Sequence, residues 1–179
     1  MFYSGLLFLV DIKQKLLLFN TQIMKISELN RIDRNILRIL QEDGRITYSE
    51  LAQRVGLTTT PCIERVRRLE REGVLKGFGA ILDPDALGAG LVVFVQIRLQ
   101  RTSQDIFAEF KEAAYQLPEV QECYLVSGNF DYLIKARVAD MNAYRIFLGD
   151  TLLGLPGVQE STSYVVMETV KETLQVPVR

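Results

Sequence analysis

The sequence predicts an α+β protein with an N-terminal winged helix-turn-helix followed by a ferredoxin-like βαββαβ domain. Three observations predict it. Apolar residues recur at helical spacing, between recognisable caps, from Asn30 to Gly73. Beyond Gly90 the pattern changes to strand, helix, strand, and that order then occurs a second time. The hexapeptide "LPEVQE" at residues 117–122 returns as "LPGVQE" at residues 155–160, each copy following a helical stretch and entering a strand.

The first 24 residues stand apart. "MFYSGLLFLVDIKQKLLLFNTQI" is apolar, but Asp11, Lys13 and Lys15 interrupt it short of the ~20 residues a membrane span requires, and it lacks a basic start and a small-residue cleavage site. Regular helical patterning begins only after Met24. Residues 1–24 are therefore expected to be a non-native or disordered leader, with translation starting naturally at Met24.

Residues 25–83 read as a unit built on three short helices. Asn30 and Asp33 open the first helix, in which Ile32, Ile36, Leu37 and Leu40 form one face, and Gly44 suits its C-terminal cap. Thr47 and Glu50 have capping-box spacing, with Ile46 and Leu51 placed for a hydrophobic staple, so "YSELAQRV" is a second helix ending at Gly56. A third begins among Thr58, Thr59 and Thr60, tolerates Pro61 in its first turn and stops at Gly73. "VLKGFGAIL" is expected to form a small β wing.

"LDPDALGAG" then marks a boundary, with residues 84–90 as linker. Residues 91–179 predict strands at Leu91–Leu99, "VQECYLVS" and "DYLIKARV", helices at Ser103–Leu117 and "MNAYRIFLGDTLLG", and a last strand after the second hexapeptide. Two βαβ halves joined at "GNFD" put both helices on one sheet face. The other face, built from largely apolar strands, is expected to be covered by a second copy of the chain.

Charge sharpens the reading. The whole chain carries a formal charge of -1, but residues 25–83 hold 11 Lys and Arg against 9 Asp and Glu, whereas residues 84–179 hold 8 against 12. On the third helix Cys62, Val66 and Leu69 form an inner face, and Thr60, Glu64, Arg67, Arg68 and Arg71 an outer one. A short helix, a tight turn and an amphipathic helix with polar residues at its start is the arrangement whose second helix enters the DNA major groove. Thr59, Thr60, Glu64, Arg65 and Arg68 are candidates for base edges, Arg67, Arg71 and Lys76 for phosphates, and Thr58 joins them as a DNA-binding candidate. The alternative is a three-helix core with a solvated arginine face.

A second candidate site lies in "LVSGNFDY". A free amino acid needs a partner for its ammonium, donors for its carboxylate and a pocket for its side chain. Asp131, the backbone amides of Gly128 and Asn129, and Leu125 offer these. The same residues also suit an ordinary turn, with Asp131 as its cap.

The chain has no histidine, and its two cysteines, Cys62 and Cys123, lack CxxC spacing, so a zinc site or a histidine-based catalytic dyad has no raw material. No cofactor is expected. A reducing cytoplasm suits this composition.

"RIDRNILRILQEDGRI", "PCIERVRRLEREG", "LVSGNFDYLIKARV" and "LPGVQESTSYVVME" resemble the Lrp/AsnC family of bacterial transcriptional regulators across about Leu29 to Val170. The resemblance implies a DNA-binding helix-turn-helix, a linker strand and a ligand-responsive domain called the RAM domain. It also implies dimers assembling into octamers or similar rings, association with the nucleoid, and an amino acid, leucine or another branched-chain or related one, as effector. The family's effector site lies around this hairpin between RAM-domain subunits, and the matching positions add Met141, Tyr164, Val165 and Val166. The function expected is thus a sequence-specific transcriptional regulator binding double-stranded DNA. The alternative is an architectural protein that wraps DNA with little effector dependence. An enzyme is disfavoured, since no nucleophile-base pair or phosphate-binding glycine loop is present.

Overall fold

A computed structural model describes residues 29–100 and 105–178. The expected leader lies outside the described residues. Contacts divide the chain into two compact units: one runs up to Ala80 and takes in the C-terminal residues from Thr173, the other spans Ile81–Glu172.

The first unit is built on three helices, α1 (Arg31–Glu42), α2 (Tyr48–Val55) and α3 (Thr59–Arg71). At the start of α1 the Asp33 amide donates to Asn30 Oδ1 at 3.0 Å and the Asn30 amide to Asp33 Oδ2 at 3.4 Å. This is a capping box made with Asn and Asp, and it satisfies two amides that have no partner inside the helix. Ile36, Leu37 and Leu40 are buried against Leu51 and Ala52 of α2 and Cys62, Val66 and Leu69 of α3. Each such aliphatic side chain contributes roughly 1.5–3 kcal/mol by leaving water.

Several expected details differ. The cap of α1 is Asp43 in an extended conformation, and Gly44 is not left-handed. At the start of α2, Thr47 Oγ1 accepts from the Glu50 amide, but the Glu50 carboxylate pairs with Arg54 at 2.6 Å. Only that half of the expected capping box is formed. Ile46 and Leu51 do share one cluster, as a staple requires. Gly56 (φ 71°) and Gly73 (φ 70°) end α2 and α3 in the left-handed region, where a side chain would be strained.

The β wing expected in residues 74–82 is not formed. Val74 and Leu75 both donate their amides to the Leu69 carbonyl and pack on the helical core, so the first residues of the presumed wing close α3 instead. Ile81 and Leu82 are exposed, with no second strand alongside. The C-terminal domain was expected to run to residue 179, but residues from Thr173 belong to the helical unit. Their carbonyls and amides find partners on α1: Arg38 donates to the Val178 carbonyl at 2.9 Å, and the Gln41 side chain bonds both ways with the Val176 backbone.

The second unit runs β1 (Leu91–Leu99), α4 (Ile106–Tyr115), β2 (Val120–Leu125), β3 (Tyr132–Val138), α5 (Met141–Ile146), a π-helical turn (Phe147–Leu152) and β4 (Val158–Val165). The strands form one antiparallel sheet in the order β2-β3-β1-β4, the ferredoxin-like arrangement. The repeated hexapeptides lead into β2 and β4, the two edge strands, so the sequence repeat corresponds to the two equivalent edges.

The second helix was expected to be α-helical throughout, but it widens into the π turn from Phe147. A wider turn brings residues five apart toward one side, and Phe147 and Leu152 are both buried. Val93, Val95, Ile97 and Leu99 of β1 and Tyr132, Ile134 and Ala136 of β3 join Phe110, Ala114, Tyr144 and Phe147 in one core. Residues alternate across a strand, so Phe94, Gln96, Leu133, Lys135, Arg137, Tyr124 and Tyr164 share the opposite face, paired as Phe94 with Tyr164 and with Lys135, and Tyr124 with Leu133.

Gly157 is the one position at which the second hexapeptide differs from the first. Its φ is 73°, and an added Cβ would lie 2.3 Å from Ile106 Cγ1. Gly157→Ala should therefore destabilise the fold by about 2–4 kcal/mol, from left-handed strain and overpacking together. Gly149→Ala, in open space on the π turn, should be neutral or stabilise by up to about 1 kcal/mol. Urea denaturation of the two variants checks the contrast, and equal midpoints would contradict it.

Candidate DNA-binding surface and effector site

The exposed side of α3 carries Thr60, Glu64, Arg67 and Arg71 in one stripe at i, i+4, i+7 and i+11, with Thr58 and Thr59 exposed at its start. Cys62, Val66 and Leu69 are completely buried on the other side and fix the rotation of this stripe. Lys76 is exposed beyond the helix end. A cleft of about 620 Å³ runs beside the stripe, bounded by Asn30 and Pro61 and by Arg65, Arg67, Arg68 and Arg71. Burial raises the Cys62 thiol pKa, with Arg65 opposing, so this cysteine behaves as a core residue and not as a nucleophile.

Arg65 and Arg68 differ from the other candidates. Both are half-buried, and both reach back to α1: Arg65 Nη1 lies 3.0 Å from Asp33 Oδ1 and Arg68 Nη2 2.6 Å from Asp33 Oδ2. Asp33 is fully buried, the only buried polar or charged residue among those described. Reading the sequence placed Asp33 at a helix start and missed this second role. The pattern held one signal for it, an acid flanked by apolar positions on the face that α1 turns to the core.

In the second unit the loop between β2 and β3 is tied down at three points. The Asp131 amide donates to the Ile97 carbonyl, its carbonyl accepts from Val126, and its Oδ2 accepts from the Leu99 amide at 2.8 Å. Arg98 donates twice to the Asn129 carbonyl, at 2.6 and 3.1 Å, and pairs with Glu160. Gly128, Asn129 and Asp131, with Arg98, Leu99 and Gln159, line an open cleft of about 350 Å³. Leu125 ends β2 nearby, opposite Tyr132, and is exposed. Sequence reading had not singled out Arg98, whose side chain is the cationic group of this cleft among the described residues.

The other four expected effector residues are elsewhere. Tyr164 pairs with Phe94, Val165 with Val93, and the Val166 amide donates to the Val92 carbonyl, all at the beginning of β1. Met141 begins α5, just after β3 ends opposite that same part of β1. Asp131 is bonded at Ile97 and Leu99, so three or more residues of β1 separate the two groups, roughly 10 Å or more at the usual strand rise. Met141 and Tyr164 are about half exposed, at 53% and 51%, so this group presents side chains outward.

Comparison with known proteins decides what this pairing of units is. Residues 92–176 match the model described as "Lrp/AsnC ligand binding domain", and residues 29–76 that described as "Winged helix-turn-helix DNA-binding". The chain is 59% identical over 146 residues to the leucine-responsive regulatory proteins of Escherichia coli strain K12 and of Klebsiella pneumoniae, covering 82% of this chain and 89% of each relative. The chain belongs to the Lrp/AsnC family. Among solved structures of similar fold are a transcriptional regulator from Neisseria meningitidis in complex with L-methionine and an AsnC-family regulator from Agrobacterium tumefaciens. The first has 37% identity, the second 38%, and both have a TM-score of 0.79 with 83% of this chain covered, against 96% and 97% of theirs.

Members of the Lrp/AsnC family are transcriptional regulators and not enzymes, and this chain has both of their modules in the same order. On its α3, Arg67 and Arg71 are exposed and project along the stripe, the placement expected of phosphate ligands. Arg67→Ala and Arg71→Ala should each weaken operator and random duplex alike, and each should lower the log-log salt slope by about 0.9 per phosphate contact removed. Fluorescence anisotropy over a salt series measures this, and an unchanged slope in both variants would assign them to the solvated surface.

Proposed function

We propose that this chain is a sequence-specific DNA-binding transcriptional regulator whose operator affinity responds to leucine or another branched-chain or related amino acid. The observation that carries the DNA-binding half is the division of α3 into a wholly buried apolar side and an exposed stripe with two free-standing arginines. Thr58, Thr59, Thr60 and Glu64 then face base edges, with Arg67, Arg71 and Lys76 on phosphates.

The effector half rests on the separation of its two groups. Leu125, Gly128, Asn129 and Asp131 sit at one end of the sheet and Met141, Tyr164, Val165 and Val166 at the other, too far apart for one amino acid to touch both in the same chain. A two-fold axis across the sheet's uncovered face brings the first group of one subunit to the second group of its partner. The effector then lies between RAM-domain subunits, its ammonium on Asp131, its carboxylate on the amides of Gly128 and Asn129, and its side chain among the apolar residues. The partly apolar uncovered face supports dimers, which we propose assemble further into an octamer or similar ring, in the cytoplasm and associated with the nucleoid. No helix among the described residues is long and apolar enough to cross a membrane.

Asp131→Asn tests the effector half while sparing the fold, because an amide oxygen still accepts from Leu99. Losing the charged partner of a desolvated ammonium costs roughly 2–5 kcal/mol. Calorimetry against the twenty amino acids should find leucine or a close relative bound by the unaltered protein and not by Asp131→Asn. Operator binding should survive in the variant and lose its response to the amino acid. Full-strength effector binding by Asp131→Asn would make Asp131 a turn residue only.

A further inference from the structure

We infer that Asp33, which lies on the first helix and not on the recognition helix, sets the sequence selectivity of the DNA-binding surface by holding Arg65 and Arg68 in fixed directions. The inference rests on the proposed DNA-binding reading and adds a positioning residue to it.

Asp33 has no exposed surface, and its two carboxylate oxygens take three donors from two helices. Oδ1 accepts from Arg65 at 3.0 Å, and Oδ2 from Arg68 at 2.6 Å and from the Asn30 amide at 3.4 Å. A buried carboxylate without such partners is strongly unfavourable, so the arrangement is satisfied only when α1 and α3 are held together at this point. Its place in the first turn of α1 favours the negative charge further. The Asp33 clamp is therefore a rigid joint, and the two arginines are its outer ends.

A guanidinium has five N–H groups in a planar fork. The contacts to Asp33 occupy one nitrogen of Arg65 and one of Arg68, and both side chains remain partly exposed, at 28% and 38%. Arg65 thus keeps further donors at the edge of the cleft beside the exposed stripe, and Arg68, whose buried Nε lies 3.9 Å from Glu72, keeps its second terminal nitrogen. An arginine on a free stem finds any phosphate within its reach, a contact that carries no sequence information. An anchored one offers its donors along a single line, and such a line can be satisfied by one base edge or one phosphate position and not by its neighbours. Asp33 also subtracts one charge from this basic surface and so restrains indiscriminate binding.

Asp33→Asn separates positioning from bulk stability, since the amide can still receive the Asn30 amide and fill the same space. The measurement uses the full chain and two probes: a duplex that the unaltered protein selects from a random-sequence library, and the unselected library itself. With Asp33→Asn the unselected library should be bound more tightly, with a salt slope steeper by up to about 0.9 for each newly engaged phosphate. The ratio of selected to unselected affinity should fall about tenfold, the scale of one lost base contact. A purely structural role would weaken both probes together and leave the slope unchanged, and that result overturns the inference. If Asp33→Asn does not fold, Arg65→Gln keeps the question open to test: a fallen ratio supports the inference, and a preserved ratio removes it. An unaltered protein that selects no sequence at all would overturn the DNA-binding reading, and the inference with it.

Discussion

The sheet of the second unit has helices on one face only, and the proposed assembly rests on that asymmetry. α4, α5 and the π turn cover Val93, Val95, Ile97, Tyr132 and Ile134, which the strand pleat sends to one side. The pleat sends Phe94, Leu133, Tyr124 and Tyr164 to the other side with equal regularity. Lys135 and Arg137 of that face are paired within the chain with two carboxylates, Glu172 with both and Glu122 with Lys135. The bonds to these two cations lower the Glu172 carboxyl pKa, and the bond to Glu172 raises that of Lys135. What remains is an apolar surface with its central charges satisfied, which a second copy of the chain can cover at little electrostatic cost.

In the proposed assembly, a second subunit there gives a physical reason for effector residues divided between the ends of one sheet. An amino acid held between two subunits binds only when they stand in the right relation, so it favours that relation over others. In that proposal the DNA-binding units are carried by the same chains, so that a change in subunit arrangement would alter how pairs of recognition helices meet successive grooves. Asp33 and its two arginines complement this scheme. A rigid joint between α1 and α3 lets a change in subunit arrangement move the recognition surface as one piece.

Much of the architecture was legible in the sequence because local chemistry and global fold agree there. Asn30, Thr47, Gly56 and Gly73 terminate helices for reasons internal to a few residues, and the repeated hexapeptide marked both edge strands. The failures share another cause, competition from distant partners. Val74 and Leu75 have strand character but meet the end of α3 first, and the tail from Thr173 finds unpaired groups on α1 that no local pattern announces. The π turn arises from packing Phe147 and Leu152 together, a demand of the core and not of helix propensity. Arg65 and Arg68 looked like members of a uniform basic face because their tether, Asp33, lies 32 and 35 residues away.

The central claim is that one effector site is completed by two chains, and subunit mixing tests it most directly. Chains carrying Asp131→Asn are unfolded and refolded together with chains carrying Tyr164→Ala, and leucine binding is measured by calorimetry on each pure variant and on the mixture. Neither pure variant should bind. The mixture should regain about a quarter of the full complement of sites, because half of randomly paired dimers are mixed and each of these has one intact site of two. A mixture as inactive as its components would contradict a site shared between subunits.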